Sequence, residues 1–269
     1  IKMRSKLHFI VLVMVMLLVS LGCTVTNINL DTVKISELVK KSEVIELNDA
    51  RDVRVYVKMG AGELKIGGGA EELLEADFTY NVAAWKPQVE YSINDDSGRL
   101  TIRQPKTDQI SFRHDTRYEW DLHFNDKVPL DLRIESGAGG AEIELGTLNV
   151  TQADIKLGVG DVDVDLSDNK SLTDLDLDMG AGDVFLNLNS NWEHDVEVNI
   201  QGGVGRIRVS LPEGIGVRVK IDKGLGDVDA SGLYRRDNTY VNSAYDEADV
   251  ILEVNIQAGI GQVDLEVVD

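Results

Sequence analysis

The stretch IKLGVGDVDVDL (residues 155–166) contains the pattern that decides the fold. Apolar residues alternate with charged ones on both sides of a Gly-x-Gly step. Alternation with a period of two is typical of a β-strand that buries one face. Glycine suits a corner where φ is positive or where two backbones come close. The stretch therefore predicts two short strands joined at a glycine corner.

The Gly-x-Gly step recurs along the chain. From Gly137 to Gly224 its first glycines are 21, 22, 23 and 21 residues apart, and the next interval of 35 residues indicates an insertion. Such a period is the signature of a repeat architecture. The corner glycines are Gly60, Gly62, Gly137, Gly139, Gly158, Gly160, Gly180, Gly182, Gly203, Gly205, Gly224, Gly226, Gly259 and Gly261.

Four positions of every repeat are apolar: five and three residues before the first glycine, and four and six after it, 28 positions in all. One repeat cannot bury its apolar face alone, whereas stacked repeats form a continuous core. The pattern predicts an all-β, single-stranded β-solenoid with ~22-residue rungs turned by the glycine corners. In this register Leu177 faces inward between Ile155 and Ile200. The alternative is an antiparallel sandwich, in which the regular period would be a coincidence.

Two further rows follow from stacking the repeats in chain order. The residues between the glycines are apolar and are predicted to plug the corners: Ala61, Ala138, Val159, Ala181, Val204, Leu225 and Ile260. The outward row after the corner is predicted to run Asp161, Asp183, Arg206, Asp227, Gln262. This order places Arg206 between two aspartates and Arg208 between Phe185 and Asp229. It also makes Asp161 and Asp183 neighbours of like charge, and another contact must offset the repulsion between their carboxylates.

The first 23 residues differ from the rest. Three basic residues precede the apolar run 9–21, which is too short to span a ~30 Å hydrocarbon core, so residues 1–22 are predicted to be a signal peptide. Cys23, the only cysteine, follows a small glycine and resembles the lipidated cysteine of the bacterial lipobox, although Ser20 departs from that pattern. An ordinary signal peptide or an uncleaved anchor are the alternatives.

The charge of the chain limits its partners. The formal net charge is -20, and it becomes -23 without residues 1–22, because these hold three basic and no acidic residues. Such a surface repels nucleic acid and anionic lipid headgroups. We therefore expect no nucleic-acid binding. The lipobox resemblance at Cys23 implies attachment to a membrane through the lipidated cysteine, at the extracytoplasmic side of a bacterial cell envelope.

Four motifs together carry a family resemblance: MGAGELKI (59–66), WKPQVEY (85–91), WDL (120–122) and VPLDL (128–132). They resemble the toast-rack domain family of bacterial envelope proteins. The later repeats are similar to the putative-adhesin and LiaF-like β-solenoid families. The resemblance covers roughly residues 50–269 and implies a membrane-tethered envelope protein, with some relatives in envelope stress signalling. The polarity and regularity of the sequence divide the chain into a lipidated tether (23–50), a less regular toast-rack-like β region (51–107) and the solenoid repeats (108–269).

No catalytic machinery is recognisable in the sequence. The histidines His8, His114, His123 and His194 are not spaced as metal ligands, and no hydrolase or metalloprotease motif occurs. We therefore expect no enzyme activity, no cofactor and no structural metal. The aspartates at 161, 163 and 165 and at 174, 176 and 178 lie ~6.5–7 Å apart along a strand, too far apart for a calcium cage. Weak surface calcium is kept as an alternative to a solvated face.

Two segments interrupt the acidic surface with arginine and aromatic residues, which are enriched at interface hot spots. The candidate partner residues are Arg113, Arg117 and Tyr118 in one segment, and Tyr234, Arg235, Arg236 and Tyr240 in the insertion. The alternative is that both segments merely cover the stack. The sequence thus favours a non-catalytic surface lipoprotein, a rigid scaffold in envelope sensing or adhesion that binds an envelope protein or a glycan. A carbohydrate-active β-helix enzyme and a self-associating structural module are the alternatives.

Overall fold

The computed structural model describes residues 35–106 and 115–268, which contain nineteen strands, one 3₁₀ turn (Ala83–Trp85) and no α-helix. The all-β prediction is confirmed for this part of the chain. The strands are β1 (Ile35–Ile45), β2 (Asp52–Ala61), β3 (Glu63–Gly67), β4 (Leu74–Val82), β5 (Gln88–Asn94), β6 (Ser97–Arg103), β7 (Tyr118–Phe124), β8 (Leu130–Ala138), β9 (Ala141–Glu144), β10 (Val150–Val159), β11 (Val162–Asp165), β12 (Asp174–Ala181), β13 (Val184–Asn187), β14 (Val196–Pro212), β15 (Gly216–Leu225), β16 (Val228–Ser231), β17 (Tyr234–Arg236), β18 (Thr239–Val241) and β19 (Ile251–Val268).

The strands form two hydrogen-bonded ladders that meet at the glycine corners. Ladder one, before the corners, runs β5, β6, β2, β8, β10, β12, β14, β19, β15, β18, β17. Ladder two, after the corners, runs β1, β4, β7, β3, β9, β11, β13, β14, β19, β16. The strands β14 and β19 are long enough to belong to both ladders. Repeats that are neighbours in the sheet pair in parallel, and antiparallel pairs occur toward the ends.

The core register is the predicted one. Leu177 pairs with Ile155 on one side and Ile200 on the other, and all three side chains are fully buried. Of the 28 inward positions, 25 are buried. The remaining three, Ile221, Val228 and Ala230, are half-buried because they lie on β15 and β16 in the last repeat of the stack, which has no further repeat to cover it.

The order of the last repeats differs from the order of the chain. Strand β19 lies between β14 and β15, so Arg206 pairs with Gln262 and not with Asp227. Arg208 lies beside Phe185 as predicted, but its other neighbour is Asp264, not Asp229. The 35-residue interval explains the difference, because its extra length lets the chain turn back through β17 and β18 and return between two earlier strands.

The turns between repeats are held by buried polar side chains. Asn169 is fully buried, and its amide donates hydrogen bonds to the carbonyl oxygens of Leu145 (2.7 Å) and Leu148 (3.0 Å). Its side-chain oxygen accepts from the backbone N–H groups of Ser171 and Leu172, both at 3.0 Å. A buried amide is tolerated when its donors and acceptors are paired in this way. Asn169 therefore fixes two successive turns relative to one another.

The N-terminal region is part of the same sheet. Residues 35–45, within the predicted tether, form β1 and pair antiparallel with β4, because β4 offers a free edge there. Any tether is therefore shorter than predicted. Strand β2 pairs in parallel with β8, so the ladders continue across the predicted boundary near residue 107. The rings of Phe78, Trp85, Tyr118 and Trp120 form edge-to-face contacts at 5.5–5.6 Å and fill the core at this end.

Backbone contact explains the glycine corners. A Cβ atom on Gly158 would lie 2.2 Å from the carbonyl oxygen of Gly137 in the preceding repeat. Gly160 has φ +143°, and a Cβ there would lie 1.9 Å from the carbonyl oxygen of Gly139. Both positions of the step thus require glycine, the first because the backbones approach closely and the second also because φ is positive.

Candidate functional site

A hairpin at one end of ladder one exposes aromatic and basic side chains. Tyr234 on β17 is 67% exposed, and Arg235 beside it is exposed as well. The guanidinium of Arg236 donates two 2.6 Å hydrogen bonds to the carboxylate of Asp246 and lies 5.9 Å from the ring centre of Tyr245. This contact lowers the pKa of Asp246 and raises that of Arg236. Arg236 is thus engaged by a side chain of the same chain, whereas Arg235 makes only a long hydrogen bond from Nε to the carbonyl oxygen of Asp237 (3.4 Å) and remains exposed beside Tyr234.

The base of the hairpin is fixed to the core. Asn242 directly follows β18 and is 3% exposed. Its side-chain amide donates to the carbonyl oxygen of Ile215 at 2.7 Å, and its side-chain oxygen accepts from the N–H of Val217 at 3.0 Å. Tyr240 is half-buried and pairs with Val219 of β15. The hairpin is therefore a supported element, and only its outer strand projects from the sheet.

A second surface follows the glycine corners along the whole stack. The prediction that the residues between the glycines plug the corners is wrong for all but Ala61, which is buried. The corner backbone turns at the second glycine and leaves the intervening side chain outside the core. Val159 is 59% exposed, Val204 53%, Ile260 54% and Leu225 72%. These side chains form an apolar row, here called the corner ridge, in the spatial order Ala138, Val159, Ala181, Val204, Ile260, Leu225.

A groove of about 1210 Å³ runs beside the corner ridge on the outer side of ladder one. The first glycines of the steps line it, so backbone atoms are exposed along its floor. The charged residues that line this corner groove are three basic and three acidic: Lys58, Lys156, Lys223, Glu135, Asp178 and Asp222. Their charges sum to zero, so the corner groove is a neutral strip on a strongly acidic chain.

Ion pairs order the charged wall of the corner groove. The Lys58 ammonium donates to Glu135 at 2.5 Å, and Arg133 approaches the same carboxylate at 3.0 Å. The hydrogen bond from Lys58 lowers the pKa of Glu135 to about 2. In the next repeats Lys156 lies 3.3 Å from Asp178. These partly exposed pairs act on register more than on overall stability.

The aspartate rows of ladder two are held in place by backbone contacts. The like-charge pair is relieved by backbone contacts, since Asp161 accepts from the N–H of Asp183 at 3.0 Å, and Asp183 accepts from the N–H of Arg206 at 2.9 Å. Burial, followed by the nearby charge of Asp165, raises the pKa of Asp163. Within residues 35–106 and 115–268, no group of three or more histidine, cysteine or acidic side chains is placed to hold a metal ion.

Comparison with known proteins identifies the family. The model of the N-terminal domain of toast_rack matches residues 34–172 and 168–210, more than half of the chain. The chain belongs to the toast-rack family. The crystal structure of a "putative cell adhesion protein" from Clostridium sporogenes ATCC 15579 is 31% identical, with a TM-score of 0.64. The match covers 86% of this toast-rack chain and 100% of the other. The family resemblance expected from the N-terminal motifs is confirmed.

More distant structures add nothing to this assignment. A "putative adhesin" from Bacteroides fragilis NCTC 9343 is 12% identical with a TM-score of 0.39, and covers 85% of the toast-rack chain and 97% of its own. A "putative adhesin" from Parabacteroides merdae ATCC 43184 is 13% identical with a TM-score of 0.27, and the match covers 87% of this chain and 97% of that one. No curated protein matches the chain.

The predicted partner residues of the first segment differ in their surroundings. Arg113 and the lipidation candidate Cys23 lie outside the described residues. Arg117 is exposed, with its guanidinium 2.9 Å from Glu119. Tyr118 is predicted to lie on the surface, but it is buried: it is 3% exposed, and its hydroxyl donates to the carbonyl oxygen of Trp85 at 2.7 Å. The aromatic core draws Tyr118 inward and raises its pKa through burial.

The described histidines have structural contacts. His123 lies 3.0 Å from the carbonyl oxygen of Gly68 and 3.1 Å from Asp121, and His194 lies 2.9 Å from the carbonyl oxygen of Leu172. Across the described ranges the toast-rack chain has no helix long and apolar enough to cross a membrane.

The exposed corner ridge could have been suspected from the sequence, since bulky Val, Ile and Leu residues stand between the glycines. The same pattern, however, also fits residues that are buried at the corner.

Proposed function

We propose that this toast-rack protein is a non-catalytic, lipid-anchored scaffold of the bacterial cell envelope. Its stacked parallel repeats support the interpretation as a single-stranded β-solenoid with ~22-residue rungs. Its hairpin β17–β18 contacts an envelope protein or a glycan. The description of the Clostridium sporogenes relative as a cell adhesion protein supports a surface role outside the cytoplasm.

The placement of β1 and the hairpin carries the proposal. Strand β1, which follows the N-terminal segment, is at the first end of ladder two, and the hairpin extends ladder one beyond β15 at the other end. Nine strand-to-strand steps separate β1 from β16 along ladder two, and at ~4.8 Å each they span roughly 43 Å. A lipid at Cys23 would hold the β1 end near the bilayer and present Tyr234 and Arg235 at the far end.

Photo-cross-linking in cells tests the hairpin. If the partner is an envelope protein, a photoreactive amino acid at position 234 of the full-length chain should yield one discrete cross-linked product. If the partner is a glycan, Tyr234→Ala and Arg235→Ala should lose binding to a glycan panel. The same amino acid at Ile93, an exposed position at the opposite end of the sheet, is the control and should give no product. If wild type and Arg235→Ala bind the panel equally and position 234 gives no product, the hairpin is not the contact.

The lipid anchor has its own test. Cys23→Ser should move the protein from the membrane pellet to the soluble or secreted fraction, or leave it unprocessed. Mass spectrometry of the wild type should show an acylated cysteine at the mature N-terminus. A membrane-bound Cys23→Ser variant with its first residues intact would instead identify an uncleaved hydrophobic anchor.

A further inference from the structure

The corner ridge is an apolar surface that the proposed function does not use. Four of its six residues are large apolar side chains more than half exposed. Five strand spacings of ~4.8 Å give the ridge a length of about 24 Å. Large, contiguous exposed apolar patches on soluble domains mark interaction sites more often than single exposed residues do. The ridge therefore needs a cover, and its geometry restricts what that cover is.

The first restriction is spacing. Ridge side chains and groove glycines repeat once per strand, about every 4.8 Å. An α-helix repeats every 5.4 Å along its axis, so it drifts out of step by roughly 3 Å over five spacings. An extended peptide places side chains on one face about every 6.8 Å and drifts faster. A second copy of this chain has the same spacing, so that it remains in step along the whole ridge.

The second restriction is shape. Each ridge residue directly follows a glycine that lines the corner groove, so the ridge and the groove lie side by side along the same corner. A two-fold axis across the corner would place the ridge of each copy in the groove of the other. Such an interface is isologous and closes at two copies. Glycine backbone lines the floor of the corner groove, and Val204 and Ile260 of the partner would pack against it.

The third restriction is charge. The chain has a net charge of -20, so most encounters between two copies are repulsive. Three basic and three acidic residues balance along the corner groove, and the ridge itself has no charge. The outer groove of ladder two, by contrast, is lined by five acidic and three basic residues. The glycine corner is thus a face on which two copies can meet without opposing charge.

We propose that the corner ridge and corner groove form a symmetric interface between two copies of this chain. The ridge is only about 24 Å long, which is short for a stable interface, so we expect a weak dimer.

Cross-linking of the full-length chain in its host tests this proposal. Two differently tagged copies are co-expressed, with a photoreactive amino acid at position 204. We expect a product of twice the monomer mass that contains both tags. Ile260→Asp in both copies should reduce its yield at least tenfold, because Ile260 pairs with Val204 and a carboxylate would be buried in the interface. The control Val44→Asp changes an equally exposed valine on β1 and should leave the yield unchanged.

A second variant guards against misfolding. Alanine already occupies the ridge at 138 and 181, so Ile260→Ala preserves a side chain that the corner accepts. It should lower the yield several-fold while resistance to protease stays at the wild-type level. A product that joins position 204 to another protein, no product, or an unchanged yield in both Ile260 variants would overturn the proposal. Cross-links from position 234 should persist in Ile260→Asp, so the hairpin and the ridge are judged separately.

Discussion

Replacing Gly160 by alanine tests how the glycine corners hold the two ladders together. The new Cβ would lie 1.9 Å from the carbonyl oxygen of Gly139, at a residue with φ +143°. In addition, Gly160 donates a backbone hydrogen bond to Ala181 at 3.0 Å, so a shift away from Gly139 strains the next repeat. The substitution therefore meets both a close contact and an unfavourable backbone conformation.

The loss of unfolding free energy in Gly160→Ala can be estimated by treating these two effects separately. A positive φ destabilises a residue with a Cβ by about 1–2 kcal/mol. Forcing extra atoms into a packed site destabilises by about 1–3 kcal/mol. We expect Gly160→Ala to lower the free energy of unfolding by roughly 2–5 kcal/mol, a large share of the ~5–15 kcal/mol of a typical domain.

Two matched alanine variants isolate each effect. Gly69 has φ +96°, and a Cβ added there would meet no atom within 4 Å, so Gly69→Ala tests the backbone conformation alone. Gly158 has no positive φ, but its Cβ would lie 2.2 Å from the carbonyl oxygen of Gly137, so Gly158→Ala tests the contact alone. The midpoint of urea unfolding, followed by circular dichroism, should fall most for Gly160→Ala. An unchanged midpoint for Gly160→Ala, or an equal loss for Gly69→Ala, would refute the reasoning.

Three further predictions concern the core, the ion pairs and calcium. Leu177→Asp should unfold the domain, since it removes ~1.5–3 kcal/mol of burial and leaves an unpaired carboxylate inside; the exposed neighbour Asp176→Leu should change the urea midpoint little. Glu135→Gln should lower that midpoint at pH 7, and the difference from wild type should disappear as the pH falls toward 2, because Lys58 holds the pKa of Glu135 in the folded state at about 2, below its ordinary value of 4.5. The melting temperature should differ by no more than a few degrees between millimolar calcium and excess chelator, and a large, saturable, calcium-selective shift would contradict this.

The inward register could be predicted because the sequence states it repeatedly. Ile155, Leu177 and Ile200 occupy the same place in three repeats, and a register slip of one residue would bury aspartates instead. The core required no long-range information beyond this period. The Asp161–Asp183 contact could be foreseen as a problem, but its solution through backbone N–H groups depends on the exact distance between repeats, which composition does not contain.

Three features could not be read from the sequence. The outward direction of Val204 follows from how the chain turns at Gly205, and an apolar residue between glycines fits a buried corner equally well. Tyr118 follows a polar stretch of the sequence, yet contacts with distant Trp85 draw it into the core. Strand β19 lies between β14 and β15 because of long-range pairing, and a repeat period alone implies stacking in chain order.

The position of β19 also restricts the order in which the strands can pair during folding. Its pairing with β14 covers residues 196–212 and 252–268, so the residues of β19, which follow β14 and β15 in the chain, complete the sheet between these two strands. Until they arrive, β14 and β15 each present an unsatisfied edge, and these edges can pair with one another in the wrong order. A protein exported with its N-terminus first would stay open to proteases until β19 had left the membrane. Loss of β19 would consequently leave a gap inside the stack, not a shorter version of it.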